Sequence, residues 1–414
     1  MKAIVRRARA ETSRSVATCT PRPQPWPLEG RVGIAIEGAS GSPRTLQAMA
    51  ARLFGIDPDE DRLRIRALRA QPPGYAAQDP DRRRVFAAAL GQFDELLTAS
   101  ESVGPATRPL PLYYSLNQAG RAIAAAKQAP DRPWEPRSHG LKIGDPDPKF
   151  LGNTTITPRP NRDKTDSFSI LTETEKRRAT AFAPESSGLT KATALCSVWA
   201  AIPSAPNPGL GGNCPRAISL FVNESASAIA QASVHGIQIA PTAAAKDKIR
   251  EMIEDVYPTA AAGLVVDSVV NDLPPYTGTR AELSWHNPGQ ASNDGPLRPA
   301  NGELTQYLWR GVGGGWWLLP RVNDAEIGLP GRGSLKRGDV LSPMLLWWCL
   351  LHALSQIARY HSADWLAALD PDSSTEAVAI EAMLSTALSV LPRLVLLSLS
   401  QGQLPRPAGW SSGS

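Results

Sequence analysis

The sequence predicts a mainly α-helical protein of the α+β class, in which helices near both ends of the chain pack into a bundle. Apolar side chains recur at helical spacing over residues 31–130 and again over residues 334–414, after an irregular Pro-rich start at residues 1–30. β-Branched and aromatic runs separated by Pro and Gly clusters fill residues 167–333, which predicts a mixed β-containing insert. A long Pro- and Gly-rich loop over residues 131–166 joins the N-terminal helices to this insert.

The N-terminal region is predicted to contain three helices. The stretch "SPRTLQAMAARLFGI" begins with a Ser-Pro pair that suits a helix start, and a short strand, "RVGIAIEGA", precedes it. Residues 81–100 form the second predicted helix, and residues 111–128, "PLYYSLNQAGRAIAAAKQ", form the third. The loop that follows is too rich in Pro, Gly, Asp and Asn for regular elements.

The insert is predicted to combine several strands with one helix. Its strand-like runs are "ALCSVWAAI", "AISLFV", "AGLVVDSVV" and "YLWRGVGGGWWLL", and its helix is "AAKDKIREMIEDVY". The glycines of the last run lack the Lys-Ser/Thr ending of a phosphate-binding loop, so they indicate a turn beside a strand.

Helical spacing returns in the C-terminal region. Ser342 is the predicted N-cap and Pro343 the first helical position of a helix that contains the most apolar window, residues 341–358. Because this window also carries His352 and other polar groups, it predicts a buried helix and not a membrane span. The stretch after it predicts one or two further helices, broken or kinked near Pro392.

The composition is that of a globular protein with a sizeable core, since 42% of the 414 residues are hydrophobic and 20% are charged. A net charge of +5 permits contact with RNA or another polyanion but does not require it. The four cysteines have no CxxC spacing and predict neither a zinc site nor a disulfide framework, and no cofactor signature is found. No apolar signal segment follows the charged N-terminus, so we expect a cytoplasmic protein without a membrane partner.

Two of the predicted helices carry a polar face opposite an apolar one. The polar groups are Tyr114, Asn117 and Arg121 on the 111–128 helix, and His352, Ser355, Gln356 and Arg359 on the C-terminal helix. One interpretation is that these side chains satisfy one another and nearby carbonyl groups, which locks the two helices together. The other is that they line a cleft whose Arg and His groups bind an anion or act on a phosphodiester. The sequence leaves both interpretations open.

Three separated blocks resemble the YaaC-like family of bacterial proteins. They are "YYSLNQAGRAI" at residues 113–123, "HGL" at residues 139–141 and the helix end "LSQIARYHSADW" at residues 354–365. The resemblance does not extend across residues 167–317. The helix pattern of the family is in turn similar to that of HEPN domains. These small helical bundles serve as metal-independent ribonucleases in toxin and antiviral systems, or as non-catalytic modules that bind RNA and dimerise.

The resemblance implies an HEPN-like bundle and a set of site residues. Catalytic HEPN domains carry an Arg, four to six residues and then a His. Arg132 and His139 meet this spacing, although the prolines between them place both in a loop. In such a site His139 would act as general acid and base, while Arg121 or Arg359 holds the phosphate. The candidates for substrate binding are Tyr114, Asn117, Arg132, His352, Ser355 and His361.

Two functions from different classes are consistent with these observations. The first is an RNA-directed effector of antiviral defence, either a ribonuclease or an RNA-binding protein. The second is a non-catalytic subunit that binds a protein partner through the central insert. A homodimer is compatible with both, and whether the protein is an enzyme stays open at this stage. A clustered basic surface around His139 would favour the first function, whereas an exposed apolar patch on the insert would favour the second.

Overall fold

A computed structural model describes much of the chain between residues 58 and 399. The described residues are 58–147, 150–159, 164–176, 188–203, 205, 209–210, 214, 216–222, 230–237, 239–257, 264–273, 278–285, 309–310, 316–319, 322 and 339–399. The predicted strand "RVGIAIEGA" and the predicted helix that begins at Ser-Pro lie outside them. Helices dominate the described residues and two antiparallel sheets accompany them, which confirms the predicted mainly α, α+β class.

The helices and strands are numbered here in chain order. The α-helices are α1 (Pro58–Ala70), α2 (Pro80–Ser102), α3 (Pro109–Lys127), α4 (Ser167–Lys176), α5 (Leu195–Ala201), α6 (Ala245–Val256), α7 (Pro343–Tyr360), α8 (Ser362–Ala368) and α9 (Ala377–Leu399). Short 3-10 helices cover Gly74–Ala77 and Leu151–Asn153. The strands are β1 (Leu141–Ile143), β2 (Thr155–Pro158), β3 (Thr193–Ala194), β4 (Ile218–Val222), β5 (Ala230–Ile237), β6 (Leu264–Asn271), β7 (Thr279–Trp285), β8 (Trp309–Arg310) and β9 (Trp316–Leu318).

Helix α3 lies at the centre of the bundle and packs on α2, α4, α7 and α9. Its predicted apolar face is buried: Leu112, Leu116 and Ile123 are all fully inaccessible to solvent. Helix α7 is buried along most of its length, as the apolar window predicted. Helices from the two ends of the chain therefore share one hydrophobic core, as predicted.

Local capping defines where the main helices begin. The Asp79 side chain accepts hydrogen bonds from the backbone of Asp81 and Arg82 at 2.8 and 3.2 Å at the start of α2. The Ser342 hydroxyl accepts from the backbone of Leu345 at 3.3 Å, and Pro343 opens α7. These contacts confirm the N-cap predicted for α7.

Helix α9 runs unbroken through Pro392, so of the break or kink predicted near this position the break is wrong. A proline inside a helix removes one backbone hydrogen bond and crowds the preceding turn. Here Leu391, Leu394 and Val395 are all buried next to it, and burial of these side chains offsets that cost. Helix α9 also has the length and hydropathy of a membrane span. However, 67% of its apolar 18-residue stretch is buried inside the protein, as in the core helix of a soluble protein.

Two predictions for the middle of the chain are wrong. The run "ALCSVWAAI" was predicted as a strand but forms helix α5, whose seven residues are all buried. Periodicity cannot separate a strand from a helix when every side of the segment is apolar, and α5 packs on α7. The loop predicted to lack regular elements contains β1 and β2, which pair antiparallel with each other and then with β3.

The second sheet has the strand order β6-β7-β5-β4-β9-β8, and all of its pairs are antiparallel. Strands β4, β6, β8 and β9 and helix α6 confirm the corresponding sequence predictions, whereas β5 and β7 had not been predicted. Helix α6 packs on β6 through its buried side chains Ile249 and Ile253.

Two buried charged side chains, Asp61 and Arg82, make hydrogen bonds that connect the bundle helices. The fully buried Asp61 carboxylate of α1 accepts from Arg393 Nε of α9 at 2.7 Å. Arg82 of α2, only 3% exposed, donates to the backbone oxygen of Gln128 at 2.6 Å just beyond the end of α3. A cation at the carboxyl end of a helix satisfies carbonyl groups that have no partner within the helix.

Candidate functional site

A buried tyrosine and an exposed histidine form the centre of the site. Tyr113, on α3, has no solvent-exposed surface, and its hydroxyl lies 2.9 Å from Nδ1 of His139. His139 is exposed and stands in the loop just before β1. The hydrogen bond therefore ties a solvent-facing imidazole to a side chain that the helical core holds in place.

The backbone around Gly140 fixes the position of His139. Gly140 has a φ of 82°, in the left-handed region that favours glycine. A Cβ atom at this position would lie 1.8 Å from Oδ1 of Asp166, so only glycine fits there. Asp166 in turn accepts from the backbone of Ser169 at 2.8 Å, and the backbone of Ser167 donates to the Ser138 oxygen at 2.8 Å. The "HGL" segment is thus anchored to the start of α4.

A third ring, that of His352 on α7, completes the cluster. Its centroid lies 5.0 Å from that of Tyr113 and 5.8 Å from that of His139. The pKa of His352 is lowered to about 3, mainly by burial and also by the nearby His139, while a hydrogen bond to the Leu141 backbone acts in the opposite direction. His352 is therefore neutral near pH 7, and its Nδ1 has no hydrogen-bond partner among the described residues.

Two arginines make the surroundings of the rings positive. Arg359, on the last turn of α7, donates to the Tyr114 hydroxyl at 3.0 Å and lies 4.8 Å from the ring centroid of Tyr360. His139 is exposed as a residue, but its ring is partly shielded from water, which lowers its pKa, and the charges of Arg359 and Arg159 lower the pKa further. Positive charge beside two neutral imidazoles suits an anion better than a metal cation.

The site brings together five of the residues predicted from the sequence. These are Tyr114, Asn117, His139, His352 and Arg359. Ser355 lies one turn along α7, where its hydroxyl donates to the His352 backbone oxygen at 2.8 Å. Asn117 lies beside the Tyr113 hydroxyl, but its Nδ2 has no partner with hydrogen-bond geometry among the described residues.

Three other predicted residues have no contact with the rings among the described residues. Arg121 is exposed on α3, and within the described part of the chain no contact joins it to the rings. Arg132 is exposed and its Nε lies 3.8 Å from an oxygen of Asp131, and no contact with His139 is found for it among the described residues. His361 stands at the junction of α7 and α8, where its Nδ1 is 4.0 Å from Asp364.

Sequence reasoning did not assign a site role to Tyr113 or Arg159. Tyr113 had a usable signal, because a tyrosine within a buried helix face needs a partner for its hydroxyl. Arg159 had none, since it reaches the site only through the pairing of β1 with β2 and through its backbone hydrogen bond to the Gly140 oxygen at 2.9 Å.

The described fold and cluster define a helical-bundle protein with an arginine-flanked histidine–tyrosine site. Residues 249–399 match the model of the YaaC-like Protein family, which confirms the family resemblance over this part of the chain. No curated protein and no solved structure matches the chain.

The matched segment differs from the blocks that carried the resemblance in the sequence. It runs from α6 to the end of α9, so it includes His352, Arg359 and part of the insert, where the sequence blocks had not extended. Tyr113 and His139 lie before it. The site is therefore built half from the matched segment and half from the preceding bundle helices and loop.

Proposed function

We propose that this is an RNA-directed protein of the bacterial cytoplasm, active in antiviral defence, which binds an RNA phosphate at His139 and Arg359. One observation carries the proposal: an exposed imidazole, tied to a buried tyrosine, stands in the field of two arginines. Arg is suited to phosphate recognition because its planar donors match the phosphate oxygens. The HEPN-like resemblance and the net charge of +5 agree with RNA as the source of that phosphate.

The same groups support metal-independent RNA cleavage. In that reaction the 2′-hydroxyl oxygen attacks phosphorus and loses its proton, and the bond from phosphorus to the 5′-oxygen breaks as that oxygen gains a proton. A histidine near its neutral form can exchange these protons, and an arginine stabilises the charge that builds on the phosphorus oxygens. His139 and Arg359 would take these two roles.

Features of the cluster favour a ligand site over an internal polar lock. A lock satisfies its own buried polar groups. Here Nδ1 of His352 and Nδ2 of Asn117 are buried without a hydrogen-bond partner among the described residues, while His139 and Arg359 are exposed. Groups left in this state are available to a ligand or to water.

The test is RNA binding by the purified full chain in EDTA. Fluorescence anisotropy with a labelled single-stranded RNA, repeated over a series of salt concentrations, measures both affinity and its salt dependence. Arg359→Ala is expected to weaken binding roughly tenfold or more and to reduce the salt slope by about 0.7, because one phosphate contact is lost. Arg84→Ala removes an equal charge at a site exposed on α2 and is the matched control.

Cleavage is measured on the same samples with total RNA and a labelled tRNA pool. Products with 2′,3′-cyclic phosphate ends that disappear in His139→Ala, with thermal melting showing that the variant is folded, would establish the ribonuclease. Binding without cleavage would make the protein a non-catalytic RNA binder. Equal RNA affinity in the wild type and in Arg359→Ala and His139→Ala would overturn the proposal.

A second candidate function has its own support. Strand β6 is the end strand of the described six-stranded sheet, and it exposes Val265 and Val270, with Leu273 just beyond it. Exposed apolar side chains on an edge strand favour contact with a protein partner. A Val265→Lys/Val270→Lys variant that loses a partner in affinity purification while keeping its RNA affinity would favour the interaction subunit.

A further inference from the structure

We infer that Tyr113 is a positioning residue that holds neutral His139 with its proton on Nε2, so that the exposed edge of His139 is a hydrogen-bond donor. The inference rests on the 2.9 Å contact between the Tyr113 hydroxyl and Nδ1 of His139. It deepens the proposed function, because it specifies what the site offers to a phosphate.

The direction of the hydrogen bond follows from the surroundings of the hydroxyl. Tyr113 is fully buried, so leaving its O–H without an acceptor would cost free energy. Among the described residues the hydroxyl is hydrogen-bonded to His139 Nδ1, and the neighbouring Asn117 acts on it as a donor, since it lowers the pKa of Tyr113 against the effect of burial. Burial also raises the pKa of Tyr113 above its usual value, so the hydroxyl keeps its proton. Tyr113 therefore donates and Nδ1 of His139 accepts.

His352 does not take the place of His139 as the acceptor of the Tyr113 hydroxyl. Nδ1 of His352 is a buried acceptor with no partner in the described part of the chain, although its ring centroid is only 5.0 Å from that of Tyr113. The Tyr113 hydroxyl lies outside hydrogen-bond geometry to that nitrogen. His139 remains the acceptor in the described state.

The consequence is that neutral His139 and the arginines in its field present hydrogen-bond donors to a ligand. With Nδ1 occupied, neutral His139 carries its proton on Nε2, and Arg359 and Arg159 supply further donors in its field. Phosphate oxygens are acceptors, so the resting site is complementary to a phosphodiester. A histidine held in this form binds a phosphate oxygen but does not abstract a proton at Nε2. Cleavage therefore requires the Tyr113 hydroxyl to turn away and become the acceptor from Nδ1.

Nitrogen NMR of histidine-labelled full-length protein tests the inference directly, because the chain has only five histidines. His139→Gln assigns the His139 signals. In the wild type at neutral pH, His139 is expected to show an unprotonated, hydrogen-bonded Nδ1 and a protonated Nε2. Addition of inorganic phosphate should shift the Nε2 signal and leave Nδ1 nearly unchanged. A protonated Nδ1 in the free wild type would overturn the inference.

The Tyr113→Phe variant provides a second test, because the pKa of His139 should shift in opposite directions depending on whether Tyr113 or His139 donates the hydrogen bond. If Tyr113 donates, its hydroxyl stabilises neutral His139, so removing it should raise the pKa of His139 by about half a unit to one unit. If His139 donates, the same change should lower that pKa. Tyr257→Phe is the matched control, since it removes a buried tyrosine hydroxyl that has no hydrogen-bond partner among the described residues and lies just after α6; it should leave the pKa and the tautomer of His139 unchanged.

These readouts separate the inference from the proposed function. The expected tautomer together with no RNA binding would leave the role of Tyr113 intact and reject RNA as the ligand. RNA binding with a protonated Nδ1 would do the reverse. The wild-type spectrum alone decides the tautomer if Tyr113→Phe fails to fold.

Discussion

Gly120 on α3 packs against the ring of Trp348 on α7, and its replacement by alanine should damage both stability and the site. An added Cβ would stand 2.6 and 2.8 Å from two ring carbons of Trp348. Trp348 is fully buried, and its ring is in edge contact with Tyr113 at a centroid distance of 6.0 Å. Any displacement of the Trp348 indole should therefore also displace Tyr113, which positions His139.

The expected magnitude is the balance of two effects. Alanine favours the helix over glycine by about 1 kcal/mol. Overpacking a core usually costs about 1–3 kcal/mol, and here the indole must retreat by roughly 1 Å to restore normal contact. The Gly120→Ala variant should therefore lose up to about 2 kcal/mol of unfolding free energy.

The assay is urea denaturation of the wild type, Gly120→Ala and Gly91→Ala. Gly91, on α2, is the matched control because an added Cβ would meet only the end of the Arg69 side chain at 3.1 Å, and that flexible group can move away. Gly91→Ala should keep or gain up to about 1 kcal/mol. If both variants change stability by the same amount, the packing argument is wrong.

Three further predictions concern charge, protonation and thiols. Arg393→Met leaves the Asp61 carboxylate buried and unpaired, so it should cost about 3–5 kcal/mol at pH 7. The cost should be smaller at pH 5, because the pKa of Asp61 is already raised by burial and the variant favours its neutral form; equal losses by urea denaturation at both pH values would contradict this. His352 binds its proton only near pH 3 when folded but near pH 6.5 when unfolded, so stability should fall by about 2 kcal/mol from pH 7 to pH 5 on its account. His352→Gln should remove that part of the dependence, and an unchanged pH profile would count against it. The thiols of Cys196 and Cys214 lie 3.1 Å apart, so diamide, which accepts the two electrons and two protons, should link them; mass spectrometry of unreduced peptides checks this, and recovery of both thiols after treatment would refute it.

Local signals in the sequence predicted the elements that local interactions determine. Ser342 and Pro343 mark the start of α7 because capping depends on neighbouring residues alone. The apolar spacing of α3 was equally informative, since one face of that helix had to be buried. Segments that are apolar on all sides gave no such information, which is why α5 was taken for a strand.

The site was only partly accessible from the sequence for a related reason. His139 and Arg359 were named because their chemistry suits a phosphate, and the structure places both beside the cluster. Arg121 shares a helix face with Asn117 but is exposed, because neighbouring elements cover only part of that face. Arg159 is brought to the site by the pairing of β1 with β2, which no local sequence pattern predicts. Residues that depend on tertiary contacts of this kind need the fold.

The cluster draws its three rings from points far apart along the chain, at positions 113, 139 and 352. During synthesis the first two leave the ribosome long before α7 does, at a rate of roughly 5–20 residues per second. A nascent chain or an N-terminal proteolytic fragment therefore carries His139 without His352 or Arg359. The three-ring cluster therefore forms only after α7 has been synthesised, and a fragment that lacks α7 is expected to lack any activity that depends on the cluster.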